Sequence, residues 1–160
     1  MSDVLLTYGC VRSSYSALRN LKKHDLQVVV SDSSRIGMSQ FSRFPSGFKK
    51  YTSHYEDENK FISDILDICS SKAIKLILPS HNETEIIARH RHKFSDDLVA
   101  MIPDESHCRM FNNKSDAYDY VSNIGVPVPC RIKYADPNLV SQVLKDTGVE
   151  KTVIKLLTGN

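Results

Sequence analysis

The 160-residue sequence has little net charge, no paired cysteine spacing, few glycines and no apolar run of membrane-spanning length. A formal charge of +2, with no long basic block, leaves no footprint for a nucleic-acid partner. Runs such as Val4-Leu5-Leu6 and Leu76-Ile77-Leu78 fall far short of the roughly 20 residues a bilayer helix needs, so no membrane partner is expected. The start, Met1-Ser2-Asp3, lacks the basic residues and long apolar stretch of a secretion signal, and the expected location is cytoplasmic. Cys10, Cys69, Cys108 and Cys130 are spread widely, which predicts reduced, mostly buried thiols rather than a disulfide framework. The histidines make no zinc-finger spacing. His90-Arg91-His92 sits in a helical setting where i and i+2 diverge, and His107-Cys108 has no second pair. Solvated surface histidines are expected, and no metal site. Also missing are the phosphate loop G-x-x-x-x-G-K-[ST], the nucleophile elbow G-x-S-x-G and the zinc helix H-E-x-x-H.

What is present is an ordinary globular composition, 41% hydrophobic and 25% charged, in which strand-like and helix-like segments alternate. Val4 to Thr7 is a short apolar run suited to a strand buried on both faces. Ser13 to Lys23 places Ser14, Leu18 and Leu21 on one helical face, with Ser13 or Ser14 as its cap. Gln27 to Ser31 is a second strand, with Asp32 just past its end. Residues 33 to 55 are polar, Ser-rich and dotted with aromatics, and their length predicts an irregular connection. Phe61, Ile62, Ile65, Leu66 and Cys69 form the next helical stripe, and Ile74 to Leu78 a third strand stopped by Pro79. A short helix carries Ile86 and Ile87, and Leu98 to Ile102 is a fourth strand ended by Pro103. Strands separated by helices imply parallel pairing with helices on both faces. The fold class is therefore α/β: a Rossmann-like doubly wound parallel sheet of about four strands over residues 1–103.

After Pro103 the pattern changes to a partial α+β subdomain over residues 104–160. Asn113 caps a helix through Ile124 with the stripe Ala117, Tyr118, Val121 and Ile124, closed by Gly125. Val126-Pro127-Val128-Pro129 is a rigid extended connector, and Cys130 to Tyr134 reads as a strand. Asp136 caps a further helix that Gly148 ends, and Thr152 to Leu157 is a last strand running into Gly159.

Ligands of doubly wound sheets collect beyond the carboxyl ends of the strands. The rim segments here are Tyr8 to Ser13, Asp32 to Arg35, Ser80 to Glu83 and Pro103-Asp104. The first turn, Gly9-Cys10-Val11-Arg12-Ser13-Ser14, carries one glycine instead of G-x-G-x-x-G, so a nicotinamide or nucleotide-sugar oxidoreductase rests on Asp32 alone. Arg12, Ser13 and Ser14 offer donors to a carboxylate or phosphate, and Glu83 offers an acceptor to a substrate amine or compensates its helix dipole. Lys155 sits in the apolar run Val153-Ile154-Lys155-Leu156-Leu157, where its ammonium needs an anion or a path to solvent.

The order Asn113-Lys114, Gly125-Val126-Pro127-Val128-Pro129, Val153-Ile154-Lys155 resembles the entry to ATP-grasp domains. That family opens a helix with lysine, turns at a G-[IV]-P-x-P corner and enters a glycine-rich loop from a [VI]-[VI]-K-P strand. Leu156 stands where the family has proline. Residues 1 to about 103 resemble the pre-ATP-grasp domain that precedes it, so the resemblance covers nearly the whole chain. It implies an ATP-dependent ligase of the carbamoyl-phosphate-synthase-like or carboxylate–amine ligase type. Such an enzyme joins a small-molecule carboxylate to a nucleophile through an acyl-phosphate, with ATP and Mg2+. Lys114 and Lys155 would contact the nucleotide phosphates and Gly159 would begin the mobile loop. Arg12, Ser13, Asp32 and Glu83 are the candidate substrate residues. The sequence ends at Asn160, before the family's metal ligands, so the 160 residues alone are expected to be inactive, and strand edges left unpaired invite self-association. The other readings are a non-catalytic Rossmann-like binding module and an oxidoreductase fragment.

Overall fold

The computed structural model describes residues 3–34, 36–129, 141–142 and 144–146. Two compact units divide the chain, Met1–Cys108 and Arg109–Asn160. The first unit runs β1 (Val4–Leu6), α1 (Arg12–Lys23), β2 (Val28–Asp32), β3 (Gly47–Lys50), α2 (Glu58–Lys72), β4 (Leu76–Leu78) and α3 (Glu83–Arg89), with a 3-10 turn at Arg91–Lys93. The helix α4 (Glu105–Asn112) runs across the division, and α5 (Lys114–Asn123) lies in the second unit.

The four strands of the described residues pair in parallel, in the order β3-β2-β1-β4. Val4, Leu5 and Leu6 stand opposite Val28, Val29 and Val30 on one side and Leu76, Ile77 and Leu78 on the other. Successive strand side chains point to opposite faces, and the sheet divides its core accordingly. Leu5, Val29 and Ile77 pack in one cluster with Phe61, Ile62 and Ile65 of α2 and Ile87 of α3. Val4, Leu6, Val28 and Val30 pack in the other with Leu18 of α1. Each fully buried aliphatic side chain stabilises the fold by about 1.5–3 kcal/mol relative to exposure. Continuous apolar strands, with no polar alternation, follow directly from this two-sided burial.

Two expectations for the sheet need correction. The stretch 33–55 is not all irregular, because Gly47–Lys50 pairs with β2, placing Phe48 opposite Val30 and Lys50 opposite Asp32. An edge strand with a single apolar side chain and two lysines carries almost no periodic signal. Conversely, Leu98–Ile102 forms turns and not a strand. Val99 and Ile102 are buried against the α2–α3 core, and Ile77 N donates to Leu98 O at 2.8 Å, but no ladder follows. Apolar residues three apart suit a turn tucked onto a core rather than an alternating strand.

Caps explain where the helices begin and end. Asp57 accepts from Lys60 N at 2.9 Å and starts α2, which ends at Ala73 in the left-handed region, φ 50°. Neither serine caps α1: Val11 is its N-cap residue and makes no side-chain cap bond. Ser13 is exposed, and Ser14 turns its buried hydroxyl toward β1 and β4 instead. The expectation of solvated histidines fails at His90, whose Nε2 lies 2.8 Å from Glu58 Oε1 with the side chain only 15% exposed. Neighbouring Arg89 pairs with Glu58 at 3.0 Å, Glu105 at 3.3 Å and Glu85 at 3.5 Å, tying α2, α3 and the start of α4.

In the second unit, Asn113 caps α5 as its sequence predicts, accepting from Ser115 N at 2.9 Å and Asp116 N at 3.3 Å. Gly125 follows at φ 83°, the left-handed position that favours glycine, and the Tyr118 hydroxyl donates to the Pro129 carbonyl. The expected stripe of α5 is not a buried face, since no residue of the helix is buried and Ile124 is 60% exposed. Residues 141–142 and 144–146 are helical, within the helix expected from Asp136. The strands expected at 130–134 and 152–157, with Lys155 and Gly159, lie outside the described residues. Among the described residues no helix is long and apolar enough to cross a membrane.

Candidate functional site

The strand order creates a crevice at the carboxyl ends of β1 and β4. From β1 the chain moves outward to β2 and β3, then returns through α2 to β4 on the other side of β1. The connections leaving β1 and β4 diverge there, which is where α/β sheets take ligands.

The walls of this crevice are polar and tied together. Thr7 N donates to Leu78 O at 3.3 Å, and Ser80 N donates to Thr7 Oγ1 at 3.4 Å. Ser14 Oγ donates to Thr7 O at 3.4 Å and shares a hydroxyl–hydroxyl hydrogen bond of 3.1 Å with Ser80 Oγ, joining the first turn of α1 to both strand ends. Tyr51 reaches over from the end of β3, where its hydroxyl accepts from Tyr8 N at 3.1 Å and donates to Glu83 Oε1. Glu83, the first residue of α3, is 2% exposed, and its Oε2 has no hydrogen-bond partner among the described residues. Burial pushes the Glu83 carboxyl up to about 7, against the pull of the Thr7 and Tyr51 hydroxyls and with a small addition from the Asp32 charge. Burial and the adjacent Glu83 charge hold the Tyr51 phenol protonated.

Two residues at the mouth take a backbone conformation unusual for their type. Tyr8 has φ 52° and His81 φ 63°, both left-handed without being glycine. Their rings stack at 5.1 Å with planes 19° apart. Strain of this kind persists where surrounding structure fixes it, and it concentrates at ligand sites.

Asp32 plays a different part. Buried to 3% exposure, it accepts Cys10 N on Oδ2 and Ser34 N on Oδ1, both at 2.8 Å. Gly9 presses on β2 so closely that a Cβ there would lie 2.1 Å from Val30 Cγ1. A Cβ on Gly37 would fall 2.6 Å from Cys10 Cα, so the segment after β2 lies directly over the first turn. A dinucleotide needs that turn open and that carboxylate free for a ribose, and neither condition holds. The oxidoreductase reading loses its support. Burial, then Asp32, pushes the Cys10 thiol up to about 11, which removes it as a nucleophile near neutral pH.

The structure thus brings Ser14 and Glu83 to one crevice and commits Asp32 to the backbone. Arg12 and Ser13 are exposed on the first turn of α1. Pro103-Asp104 loses its place on the rim because no strand precedes it. Lys114 is exposed at the start of α5, in the second unit. Sequence reasoning missed Tyr51 and Thr7, the two hydroxyls at Glu83. Nothing local marks Tyr51, since its role depends on an edge strand that periodicity does not reveal. On the β3 side, an open groove of about 830 Å³ is bordered by Lys49, Lys50, Thr52, Asp64 and Asp67. Its two signs of charge and its Thr52–Asp64 hydrogen bonds at 2.8 Å suit neither a simple anion nor a simple cation.

No protein-family model matches the sequence, and no curated protein matches it in sequence. Solved structures do match. One is the biotin carboxylase domain of a single-chain bacterial carboxylase, at 14% identity and TM-score 0.53, covering 92% of this chain and 35% of that one. Another is the biotin carboxylase domain dimer of Hydrogenobacter thermophilus 2-oxoglutarate carboxylase, in complex with MgADP, ADP and bicarbonate. It matches at 15% identity and TM-score 0.56, covering 91% of this chain and 33% of that one. This chain spans about a third of the length of either neighbour. At such identity the likeness is one of architecture: the chain shares an α/β fold with biotin carboxylase domains.

Proposed function

We propose that this chain forms the N-terminal part of an ATP-dependent ligase of the ATP-grasp type. The observation that carries the reading is the fold shared with biotin carboxylase domains, which are ATP-grasp enzymes, over nine-tenths of the chain. Supporting it, the capped helix opening at Lys114 and the left-handed Gly125 before Val126-Pro127-Val128-Pro129 have the form that the ATP-grasp resemblance requires. The reaction would activate a small-molecule carboxylate as an acyl-phosphate for attack by an amine or similar nucleophile. Within that, the carbamoyl-phosphate-synthase-like or carboxylate–amine ligase branch is the finer assignment.

In this reading Lys114 and Lys155 neutralise nucleotide phosphates, and Gly159 begins the loop that closes on them. Lys114 is exposed at the positive, N-terminal end of the α5 dipole, a position that suits a polyanion. Mg2+ would supply charge neutralisation to the phosphates of bound ATP. By the ATP-grasp resemblance, the acidic ligands of that metal would come after Asn160. Arg12, Ser13 and Glu83 are the proposed substrate contacts, whereas Asp32 is a scaffold residue. The neighbour solved as a dimer makes self-association a further proposal, through the exposed edges of the strands expected at 130–134 and 152–157.

The test is ADP release by the longer protein with candidate acids and nucleophiles. Changing Lys155 to Ala should abolish both ATP binding and substrate-dependent ADP release. Retention of both removes Lys155 from the site, and absence of ADP release with every acid leaves the second reading, a non-catalytic binding module. That reading draws on the compactness of Met1–Cys108 as a unit with its own polar crevice.

A further inference from the structure

The groove beside β3 is an open space of about 830 Å³ bordered by charges of both signs that do not meet. One wall is a single face of α2, where Asp64, Asp67, Ile68 and Ser71 recur at the three- and four-residue spacing of a helix. The opposite wall is the end of β3, with Lys49 and Lys50. Phe48 packs on the α1 side of the sheet, so alternation along the strand turns Lys49 to the α2 side. Glu56, in the connection from β3 to α2, completes the charged border.

One of these charges is already committed. Asp64 accepts from Thr52 N and Thr52 Oγ1 at 2.8 Å and pairs with Lys60 at 2.8 Å. Asp67 adds its field at Lys60 without forming an ion pair. Among the described residues Lys49, Lys50 and Glu56 form no ion pair either. Two unpaired ammonium groups and two unpaired carboxylates on one groove set up a field across it.

That field selects among ligands. A simple anion drawn to the lysines meets the repulsion of Glu56 and Asp67. A simple cation drawn to those carboxylates meets the lysines. A molecule carrying one group of each sign satisfies both walls, and each of its charges is screened from the like-charged wall by the other. Ile68 gives the alkyl stretch between the two groups an apolar surface, and the Ser71 hydroxyl donates or accepts beside it. We propose that the groove between β3 and α2 binds a small zwitterion, with its anionic group at Lys49 and Lys50 and its ammonium at Asp67 and Glu56. This site is separate from the crevice at β1 and β4 and does not rest on the ligase reading.

The experiment is an amide NMR titration of the 160-residue protein with ε-aminocaproate at neutral pH, run beside caproate and pentylammonium at equal ionic strength. Saturable shifts at Lys49, Lys50, Asp67 and Ser71 are expected with ε-aminocaproate, and each singly charged compound should bind at least tenfold more weakly. Asp67→Asn, and separately the double variant Lys49→Gln with Lys50→Gln, should each reduce ε-aminocaproate to the level of the singly charged compounds. Equal binding of caproate or pentylammonium, full binding in either variant, or no saturable shift at these residues would overturn the proposal. Should the lysine variant fail to fold, Asp67→Asn decides alone, because Asp67 is exposed on α2. Because ATP is absent throughout, failure here leaves the ligase reading standing. Loss of ATP binding by the longer protein would conversely leave this site intact.

Discussion

Glu83 concentrates the residue-scale physics of this chain. Its carboxyl is pushed from an ordinary 4.5 up to about 7, first by burial. The folded protein therefore holds this proton more tightly than the unfolded chain does. Below about pH 4.5 both states are protonated and the contribution of the buried neutral acid is fully present. As pH rises toward 7 the unfolded chain sheds the proton while the folded one retains it, and that stability is lost. Above that window it changes no further. The full swing is at most about 3 kcal/mol. Urea midpoints at pH 5 and pH 8 should fall together for the natural protein and for Glu83→Gln except for this one component, so the midpoint difference between the two proteins should change with pH. A constant difference would show that Glu83 titrates normally. Asp32, equally buried, has a backbone N–H group on each of its oxygens, whereas one Glu83 oxygen has no hydrogen-bond partner among the described residues. Side-chain identity alone does not separate these two carboxylates; their partners do.

Ala73 gives the clearest prediction for an element. It closes α2 at φ 50°, where its N–H bonds back to Cys69 O and Ser70 O, a geometry that costs an alanine about 1 kcal/mol and a glycine nothing. Ala73→Gly should raise stability by up to about 1 kcal/mol, read as a higher denaturation midpoint. An unchanged or lower midpoint would mean that the added backbone freedom of the unfolded chain wins. Elements with strong local signals were legible in the sequence: β1, β2 and β4 as buried apolar runs, α2 by its stripe, and α5 by Asn113 and Gly125. Those that failed lacked a local signal. β3 has one apolar side chain, and Val99 and Ile102 owe their burial to a distant core rather than to a strand of their own. At the site, Ser14 and Glu83 could be named because they sit at strand ends, but Tyr51 could not, since its partner lies 32 positions away in sequence.

For the molecule as a whole, the division after Cys108 and the two core clusters on either side of one sheet predict that the first unit is self-sufficient. A protein ending after α4, residues 1–112, should unfold in one cooperative transition and keep the amide shift pattern of the sheet. A broad, non-cooperative melt would show that its core depends on residues C-terminal to Asn112. The passage from β2 to β3 has a consequence of its own. Among its described residues that connection contains no helix, and its partly buried Phe44, with Phe48 of β3, packs on the α1 side of the core. β3 and β4 each have one strand neighbour, but β4 also receives a bond through Ile77 N to Leu98 O, and no described helix leads into β3, so β3 is the looser edge. Its amides should trade hydrogen for deuterium well before those of β1, which is flanked on both sides, so that the sheet opens first at its β3 margin.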